Sequence, residues 1–233
     1  DSSTYTLTQS EVGKYIKATA SYTDDDGTVE SHSDTHLTAV ANVNDAGSGL
    51  SLASDEDVAD PDEDDTLSVS GTLSDEDGCT GSTCALTYAW SNGATSATIT
   101  LGQTDVGDII SVTLTYSDDQ SETNTITLTA ASDVDNVNDD PSGTVTVTGT
   151  AQEDQVLGIA TSLMSDEDGL GTFSYQWNRA GTAVSGSTSL TYTLGQDDVG
   201  SAMTVTVSYT DGQGTLESVT SGATSAVSNI NDA

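Results

Sequence analysis

Basic residues are nearly absent from this chain. Its 233 residues include 3 Lys and Arg against 38 Asp and Glu, which gives a formal net charge of −35 at pH 7. A chain this acidic repels the phosphates of nucleic acids and the anionic surfaces of membranes. Three basic side chains also cannot clamp an anionic substrate. We therefore expect no nucleic-acid partner and no direct insertion into a membrane.

Apolar residues are scarce as well, at 33% of the chain, and 5% of the residues are aromatic. No stretch approaches the roughly 18 apolar residues of a membrane-spanning helix, and no signal peptide is recognisable. The abundance of Ser, Thr and Gly favours several thin β-domains over one thick globule. We expect the chain to be an internal piece of a longer protein.

The two cysteines, Cys79 and Cys84, flank the segment "CTGSTC". Two Cys without a nearby His cannot form a zinc site, whereas a C-x4-C pair on one loop can close a small disulfide. The spacing favours a disulfide in an oxidising, extracellular setting over two free thiols.

A short tag recurs along the chain: "NVNDA" at 42–46, "NVNDD" at 136–140 and "NINDA" at 229–233. Its copies begin 94 and 93 residues apart (136 − 42 and 229 − 136). This spacing is that of one small domain, and it indicates tandem repeats.

Other motifs keep the same spacing. "TYTLTQSEVG", "TITLGQTDVG" and "TYTLGQDDVG" end at Gly13, Gly107 and Gly200, whereas "SDEDG" occurs only in the second and third copies. The sequence therefore predicts two and a half repeats. Residues 1–46 are the C-terminal half of a repeat, and 47–140 and 141–233 are complete repeats.

Each repeat alternates apolar residues with Ser or Thr, as in "SATITL" and "SAMTVTVSYT". This period of two is typical of strands with one buried face, and no segment has a helical stripe of useful length. About seven short strands in 93 residues predict an antiparallel Greek-key β-sandwich, and the chain is then an all-β linear series of such domains. Trp90 and Trp177 are predicted to fill the space between the two sheets.

The run "GTAVSGSTSLTYTLGQDDVGSAMTVTVSYTDGQGT", followed by the tag "NINDA", resembles the immunoglobulin-like and cadherin-like tandem repeats of giant bacterial surface proteins, including RTX-type adhesins. The resemblance covers all 233 residues. It implies that each repeat is a β-sandwich, that the tag is the linker between domains, and that calcium binds at the junctions. One departure is that repeat two has "YSDDQ" where repeat three has "YTDGQGT", which indicates a shorter loop.

Calcium is also the cation that the residue types favour, because it takes six to eight oxygen ligands from carboxylates and carbonyls. An extended linker cannot supply so many oxygens, so loops at the facing ends of two domains must converge on the ion. For the first junction the predicted ligands are Glu11, Asn42, Asn44, Asp45, Asp75, Asp77 and Asp118. For the second they are Glu63, Asp105, Asn136, Asn138, Asp139, Asp166, Asp168 and Asp211, of which Glu63 and Asp105 depend most on the cadherin likeness.

Two other interpretations of these acidic residues remain open. Asp and Asn are common in turns on a solvated surface, although that alone does not explain three tags and two "SDEDG" loops in register. Paired carboxylates also occur in glycoside hydrolases, but enzymes rarely repeat one active site in tandem. With no nucleophile and base pair and no phosphate-binding loop, we expect no enzymatic activity.

Three functions remain for such a chain. The first is an extender or stalk segment of a large extracellular surface protein or adhesin, stiffened by calcium and contacting neighbouring repeats of the same long chain. The second is a segment of a laterally assembled fibre, sheath or surface layer, whose partners are other copies. The third is a glycan-binding module, which usually needs exposed aromatic residues. The polar, acidic composition and the short linkers favour the stalk.

Overall fold

The structure, a computed structural model, describes residues 3–79 and 84–231. The chain divides into two compact units, residues 1–135 and 136–233. The tag at 136–140 thus belongs to the second unit. The division between the units lies five residues before the repeat boundary that the sequence predicted after residue 140. Strands and short 3-10 turns are the regular elements of the described residues, so the predicted all-β class is confirmed.

The incomplete repeat at the start of the first unit contains a hairpin of two antiparallel strands, β1 (Lys17–Thr23) and β2 (Val29–Thr35). Every residue of both strands is exposed. Tyr22 is 64% exposed, although its repeat equivalents Tyr116 and Tyr209 are buried. The hairpin therefore exposes a face that both complete repeats cover.

The rest of the first unit is a sandwich of two three-stranded antiparallel sheets, with the strand orders β3-β4-β6 and β5-β7-β8. These strands are β3 (Ser48–Ser54), β4 (Thr66–Ser74), β5 (Thr87–Trp90), β6 (Thr98–Thr100), β7 (Ser111–Ser117) and β8 (Thr123–Thr129). Leu67 of β4 and Ile99 of β6 pack in one core with Trp90 of β5 and Val112 of β7. Because alternate residues of a strand point to the same face, these strands bury one side each.

The second unit repeats this arrangement with sheets in the orders β13-β10-β9 and β12-β11-β14-β15. Its strands are β9 (Thr146–Thr148), β10 (Val156–Ala160), β11 (Ser174–Arg179), β12 (Thr182–Ala183), β13 (Thr191–Thr193), β14 (Met203–Thr210) and β15 (Leu216–Thr220). Met203, Val205, Val207 and Tyr209 alternate into the core along β14.

The two tryptophans occupy the same place in the two complete repeats, on β5 and β11. Trp90 and Trp177 are both buried, and the indole N–H of each donates to a backbone carbonyl, that of Ser96 or that of Ser189, at 2.9 Å. A buried Trp needs such a partner for its one polar group. The predicted position of both residues between the sheets is confirmed.

Cys79 and Cys84 form a disulfide, as the C-x4-C spacing predicted. Cys79 directly follows Gly78, the last residue of the first "SDEDG" segment. The disulfide therefore lies directly after this acidic segment.

The loop between β7 and β8 in repeat two has the same length as the loop between β14 and β15 in repeat three. The prediction of a shorter loop in repeat two was therefore wrong. The backbone N–H of Asp118 donates to Glu122 O at 3.1 Å, and that of Asp211 donates to Thr215 O at 2.9 Å. Each bond joins residues four apart. The two loops differ in sequence rather than in size.

Within the part of the chain that the structure describes, no helix is both long enough and apolar enough to cross a bilayer.

Candidate cation sites

Each "SDEDG" segment folds into a tight turn around its first Asp. The backbone N–H of Asp77 donates to Asp75 Oδ1 at 2.9 Å, and the equivalent bond in the turn at 165–169 has the same length. Gly78 closes the turn with a φ of +92°, in the left-handed region that glycine adopts without steric cost. The turn therefore fixes the side chain of the first Asp of each "DxD".

In the first unit these two carboxylates meet a third from the loop after β7. One oxygen each from Asp75, Asp77 and Asp118 lie within 4.8 Å of one another. Asp77 and Asp118 are 2% and 1% exposed. Asp118 is fixed by the backbone N–H groups of Gln120 and Glu122, which both donate to its Oδ1 at 2.9 Å.

The tag at 42–46 lies against this cluster. The backbone N–H of Asp45 donates to Asp77 Oδ2 at 2.8 Å. Asn44 Nδ2 donates to Asn124 Oδ1 at 2.8 Å, and Asn124 Nδ2 in turn donates to Asp118 Oδ2 at 2.9 Å. The structure therefore brings Asn44 and Asp45 beside Asp77 and Asp118, with the tag contributing N–H donors to the contacts.

One carboxylate oxygen of this cluster has no partner. Asp77 Oδ1 is buried without a hydrogen bond, and so is Asn42 Oδ1 in the tag. Leaving a buried polar group unsatisfied costs about 1–3 kcal/mol, and more for a charged one. Among the described residues the one ion pair joins Arg179 and Asp198, so no basic side chain neutralises the cluster. Carboxylate and amide oxygens in this setting fit a hard divalent cation such as Ca²⁺.

In the second unit the tag makes the equivalent contacts. The backbone N–H of Asp139 donates to Asp168 Oδ2 at 2.8 Å, and Asn138 Nδ2 donates to Glu217 Oε1 at 3.0 Å. The backbone N–H of Gly212 donates to Asp168 O at 2.9 Å, which holds the loop after β14 beside the "SDEDG" turn. Asn136, two residues before Asn138, belongs to the same unit.

Asp211 of this loop, like Asp77 in the first unit, has one side-chain oxygen with hydrogen bonds and one without. Its Oδ1 accepts from the backbone N–H groups of Gln213, Gly214 and Thr215 at 2.6–2.9 Å. Its Oδ2 is buried without a hydrogen-bond partner. Each unit thus contains one buried carboxylate oxygen that has no hydrogen-bond partner.

A tyrosine near the end of β7, and another near the end of β14, positions the first Asp of the "DxD" in its unit. Tyr116 OH donates to Asp75 Oδ2, and Tyr209 OH donates to Asp166 Oδ2. Burial, and then the hydrogen bond to Asp75, raise the pKa of Tyr116 to about 12. Burial and the bond to Asp166 likewise raise the pKa of Tyr209. Both phenols therefore act as neutral donors at neutral pH.

The carboxylate of Glu11 is engaged within its own turn. Its Oε2 accepts from Thr8 N and Thr8 Oγ1 at 2.9 Å, and its Oε1 accepts from Ser10 Oγ at 2.5 Å. The bond from Ser10, followed by those from Thr8, lowers the pKa of Glu11 to about 2. Among the described residues, Glu11 is not one of the carboxylates that meet at Asp75 and Asp77. Its role as a ligand stays a prediction.

Asp105 and Glu63 lie in other parts of the first unit. Asp105 is buried, and its Oδ1 accepts from Asn92 Nδ2 at 3.1 Å. It precedes β7 whereas Asp118 follows it, and a strand of seven residues is roughly 23 Å long. Glu63 is also buried, and its backbone N–H donates to Asp135 O at 2.9 Å. Neither residue is part of the cluster around Asp77, and their assignment as ligands stays a prediction.

Four residues of these sites were absent from the sequence prediction: Tyr116, Asn124, Tyr209 and Glu217. They pair across neighbouring strands, Tyr116 opposite Asn124 and Tyr209 opposite Glu217. The signal was present in the repeat alignment, since a Tyr and an Asn or Glu lie eight residues apart in all three copies.

Comparison with known proteins gave no matching family model and no match among curated proteins. Two solved structures are similar over 94% of this chain. One is a Ca²⁺-stabilized adhesin that helps an Antarctic bacterium reach out and bind ice, with 19% identity and a TM-score of 0.32. The other is a crystal structure of titin domains, with 12% identity and a TM-score of 0.26. The matches span 58% of the adhesin chain and 76% of the titin chain.

Proposed function

We propose that this chain is an extender segment of a large extracellular surface protein or adhesin, and that calcium fixes each tag to the repeat that follows it. The observation that carries this proposal is the buried, unsatisfied oxygen of Asp77 beside Asp75 and Asp118. The cluster meets the tag through Asp45 and Asn44, so an ion bound there would hold linker and domain together.

The charge balance explains why a cation would act as a stiffener. Clustered carboxylates repel one another over about one Debye length, roughly 8 Å at physiological salt. A bound divalent ion removes this repulsion and ties the contributing segments to one point. Extracellular calcium modules bind with Kd values of roughly 10⁻⁴–10⁻³ M, which suits a protein in a calcium-rich medium.

The repetition of the site supports a mechanical role rather than a chemical one. Both complete repeats carry the same turn, the same tyrosine contact and the same tag contact. A stalk needs one stiff junction per domain, and its lateral surfaces need only be soluble. The disulfide in the first unit is consistent with an extracellular location, because such bonds persist in oxidising compartments. The proposal includes no catalytic activity.

Thermal unfolding with and without calcium tests the proposal. A ligand that binds only the folded state stabilises it by about 1.4 kcal/mol at ten times its Kd, which raises Tm by roughly 6–11 °C for a domain of about 60–100 residues. We expect millimolar calcium to raise the Tm of the first unit's transition in the unaltered chain and to have little effect on it in the Asp77→Asn variant.

Asp133→Asn is the matched control, because Asp133 is an exposed acidic residue of the same unit outside the cluster. This variant removes the same charge and should keep the full response to calcium. Equal Tm values in calcium and in chelator for the unaltered chain would overturn the proposal.

A further inference from the structure

The cross-strand partner of the site tyrosine differs between the two complete repeats. Tyr116 lies opposite Asn124 in the first unit, and Tyr209 lies opposite Glu217 in the second. In the incomplete repeat the corresponding pair is Tyr22 and Glu30. The register is the same each time, so the position is equivalent and its charge is what changes.

In the first unit the neutral Asn124 satisfies part of the acidic cluster. Its Nδ2 donates to Asp118 Oδ2 at 2.9 Å, while its Oδ1 accepts from Asn44. Asp118 thus has hydrogen bonds to both of its oxygens. The three carboxylates of this cluster are those of Asp75, Asp77 and Asp118.

In the second unit Glu217 takes the position of Asn124 but has no N–H to donate. Its Oε1 accepts from Asn138 Nδ2, and the residue is 9% exposed. Asp211, the equivalent of Asp118, therefore keeps one oxygen without a hydrogen bond, although the residue is only 7% exposed. A buried carboxylate oxygen without a donor carries a free-energy cost, which a bound cation would offset.

Several carboxylates also influence the pKa of Tyr209. After burial and the contact with Asp166, the charges of Glu217 and Asp211 also raise the pKa of Tyr209. At Tyr116 the contributing carboxylates are those of Asp75 and Asp118. Asp168 lies next to the same loop, since the backbone N–H of Gly212 donates to its carbonyl oxygen. The candidate ligands of the second unit are therefore the carboxylates of Asp166, Asp168, Asp211 and Glu217.

We propose that Glu217 supplies a fourth carboxylate to the cation site of the second unit and makes it the tighter of the two sites. Asn124 leaves the site of the first unit with three carboxylates and a lower affinity. This inference rests on the proposed calcium-binding function. Calcium affinity rises with the number of charged ligands, and one additional charge a few ångströms from a divalent ion changes Kd by about tenfold.

Calcium titration of the full chain by isothermal calorimetry tests this inference through reciprocal exchange of the two residues. We expect Glu217→Asn to weaken the tight binding component by about tenfold, because the new side chain can donate to Asp211 as Asn124 does to Asp118. Asn124→Glu should strengthen the weak component by a similar factor. Each exchange introduces a residue that the other repeat already accommodates at that position.

Glu30→Asn is the control for net charge. It removes one negative charge at the equivalent position of the incomplete repeat, which has no "SDEDG" segment of its own. Both affinities should be unchanged in this variant. Far-ultraviolet circular dichroism of each variant in chelator verifies the fold, and if Asn124→Glu unfolds, Glu217→Asn alone decides the question.

The outcomes separate this inference from the proposed function. If calcium binds but Glu217→Asn changes its affinity no more than Glu30→Asn does, the role of Glu217 is overturned while the proposed function stands. If calcium binds neither to the unaltered chain nor to any of the variants, the proposed function is overturned, and this inference is overturned with it.

Discussion

At the scale of single residues, the buried Asp that precedes β7 and the buried Asp that precedes β14 have different hydrogen-bond partners. Arg179 Nε donates to Asp198 Oδ1 at 2.6 Å, whereas Asn92 Nδ2 donates to Asp105 Oδ1 at 3.1 Å. Asn92 and Arg179 each lie two residues after the core Trp. Asp198 also accepts from Tyr192 OH. The two repeats therefore satisfy the same buried acid with a cation in one case and an amide in the other.

This difference leads to a prediction for the second unit. Arg179→Met should destabilise it by about 3 kcal/mol, because removal of one partner leaves the buried charge of Asp198 uncompensated. We take the lower end of the usual range, since the Arg179 side chain is 30% exposed. Arg179→Asn should cost less, because it reproduces the contact that Asn92 makes with Asp105.

Urea unfolding of the second unit measures both values, with the transition of the first unit as an internal control. Equal free energies of unfolding for the Met and Asn variants would show that the amide does not replace the guanidinium. Values for both within 0.5 kcal/mol of the unaltered chain, about the range of ordinary surface substitutions, would show that the ion pair adds no net stability.

At the scale of elements, the same strand behaves differently according to what covers it. Ala18, Ala20 and Tyr22 of β1, and Ile16 just before it, take the positions at which β14 buries Val205, Val207, Tyr209 and Met203. In the complete repeats a second sheet covers this face. In residues 3–46 the described elements are the β1–β2 hairpin and one 3-10 turn, so the face stays exposed. The alternation of a strand gives it a face to bury, and burial itself requires the opposite sheet.

Hydrogen exchange should therefore separate the first hairpin from the rest of the chain. An isolated two-stranded hairpin is marginally stable in water. We expect the amides of β1 and β2 to exchange close to the rate of unstructured chain, and those of β7 and β14 to be strongly protected. Mass spectrometry after peptic digestion provides this comparison.

The protein concentration serves as the control for this measurement. Repeating the exchange at tenfold dilution distinguishes an uncovered hairpin from one that a second copy covers. Strong, concentration-independent protection of β1 would contradict the exposure that the structure shows.

At the scale of the whole molecule, the charge of −35 is the dominant property. Self-repulsion of this size opposes compaction and keeps the chain soluble, and salt or bound cations reduce it. Screening by salt acts on all exposed charges, whereas a specific site responds to a particular ion. The two effects can therefore be separated by experiment.

Small-angle scattering of the chain in calcium and in chelator should show this distinction. We expect calcium to reduce interdomain flexibility and to change the maximum dimension, because fixed tags limit the range of domain orientations. Sodium chloride at matched ionic strength should leave most of the flexibility, since it screens charge without linking ligands. The double variant Asp139→Ala, Asp166→Ala should resemble the chelated chain even in calcium. An identical response to calcium and to sodium chloride would indicate screening alone.

The repeat spacing, the all-β class, the buried positions of Trp90 and Trp177, and the pairing of Cys79 with Cys84 could all be predicted from the amino-acid sequence. These features are local or periodic. A period of two specifies strands, a repeat of 93 or 94 residues specifies domains, and two cysteines five residues apart have few ways to pair.

The polar groups that meet at the ends of the repeats could not be predicted, because their contacts depend on how the strands pack. Asn44 contacts Asn124 across 80 residues of sequence, and Asn138 contacts Glu217 across 79, because strand register and sheet packing bring their loops together. The sequence singled out Asp77 and Asp211 as acidic residues in loops. That each has a buried oxygen without a donor follows from packing alone, since a side chain loses its water only when other parts of the chain close over it.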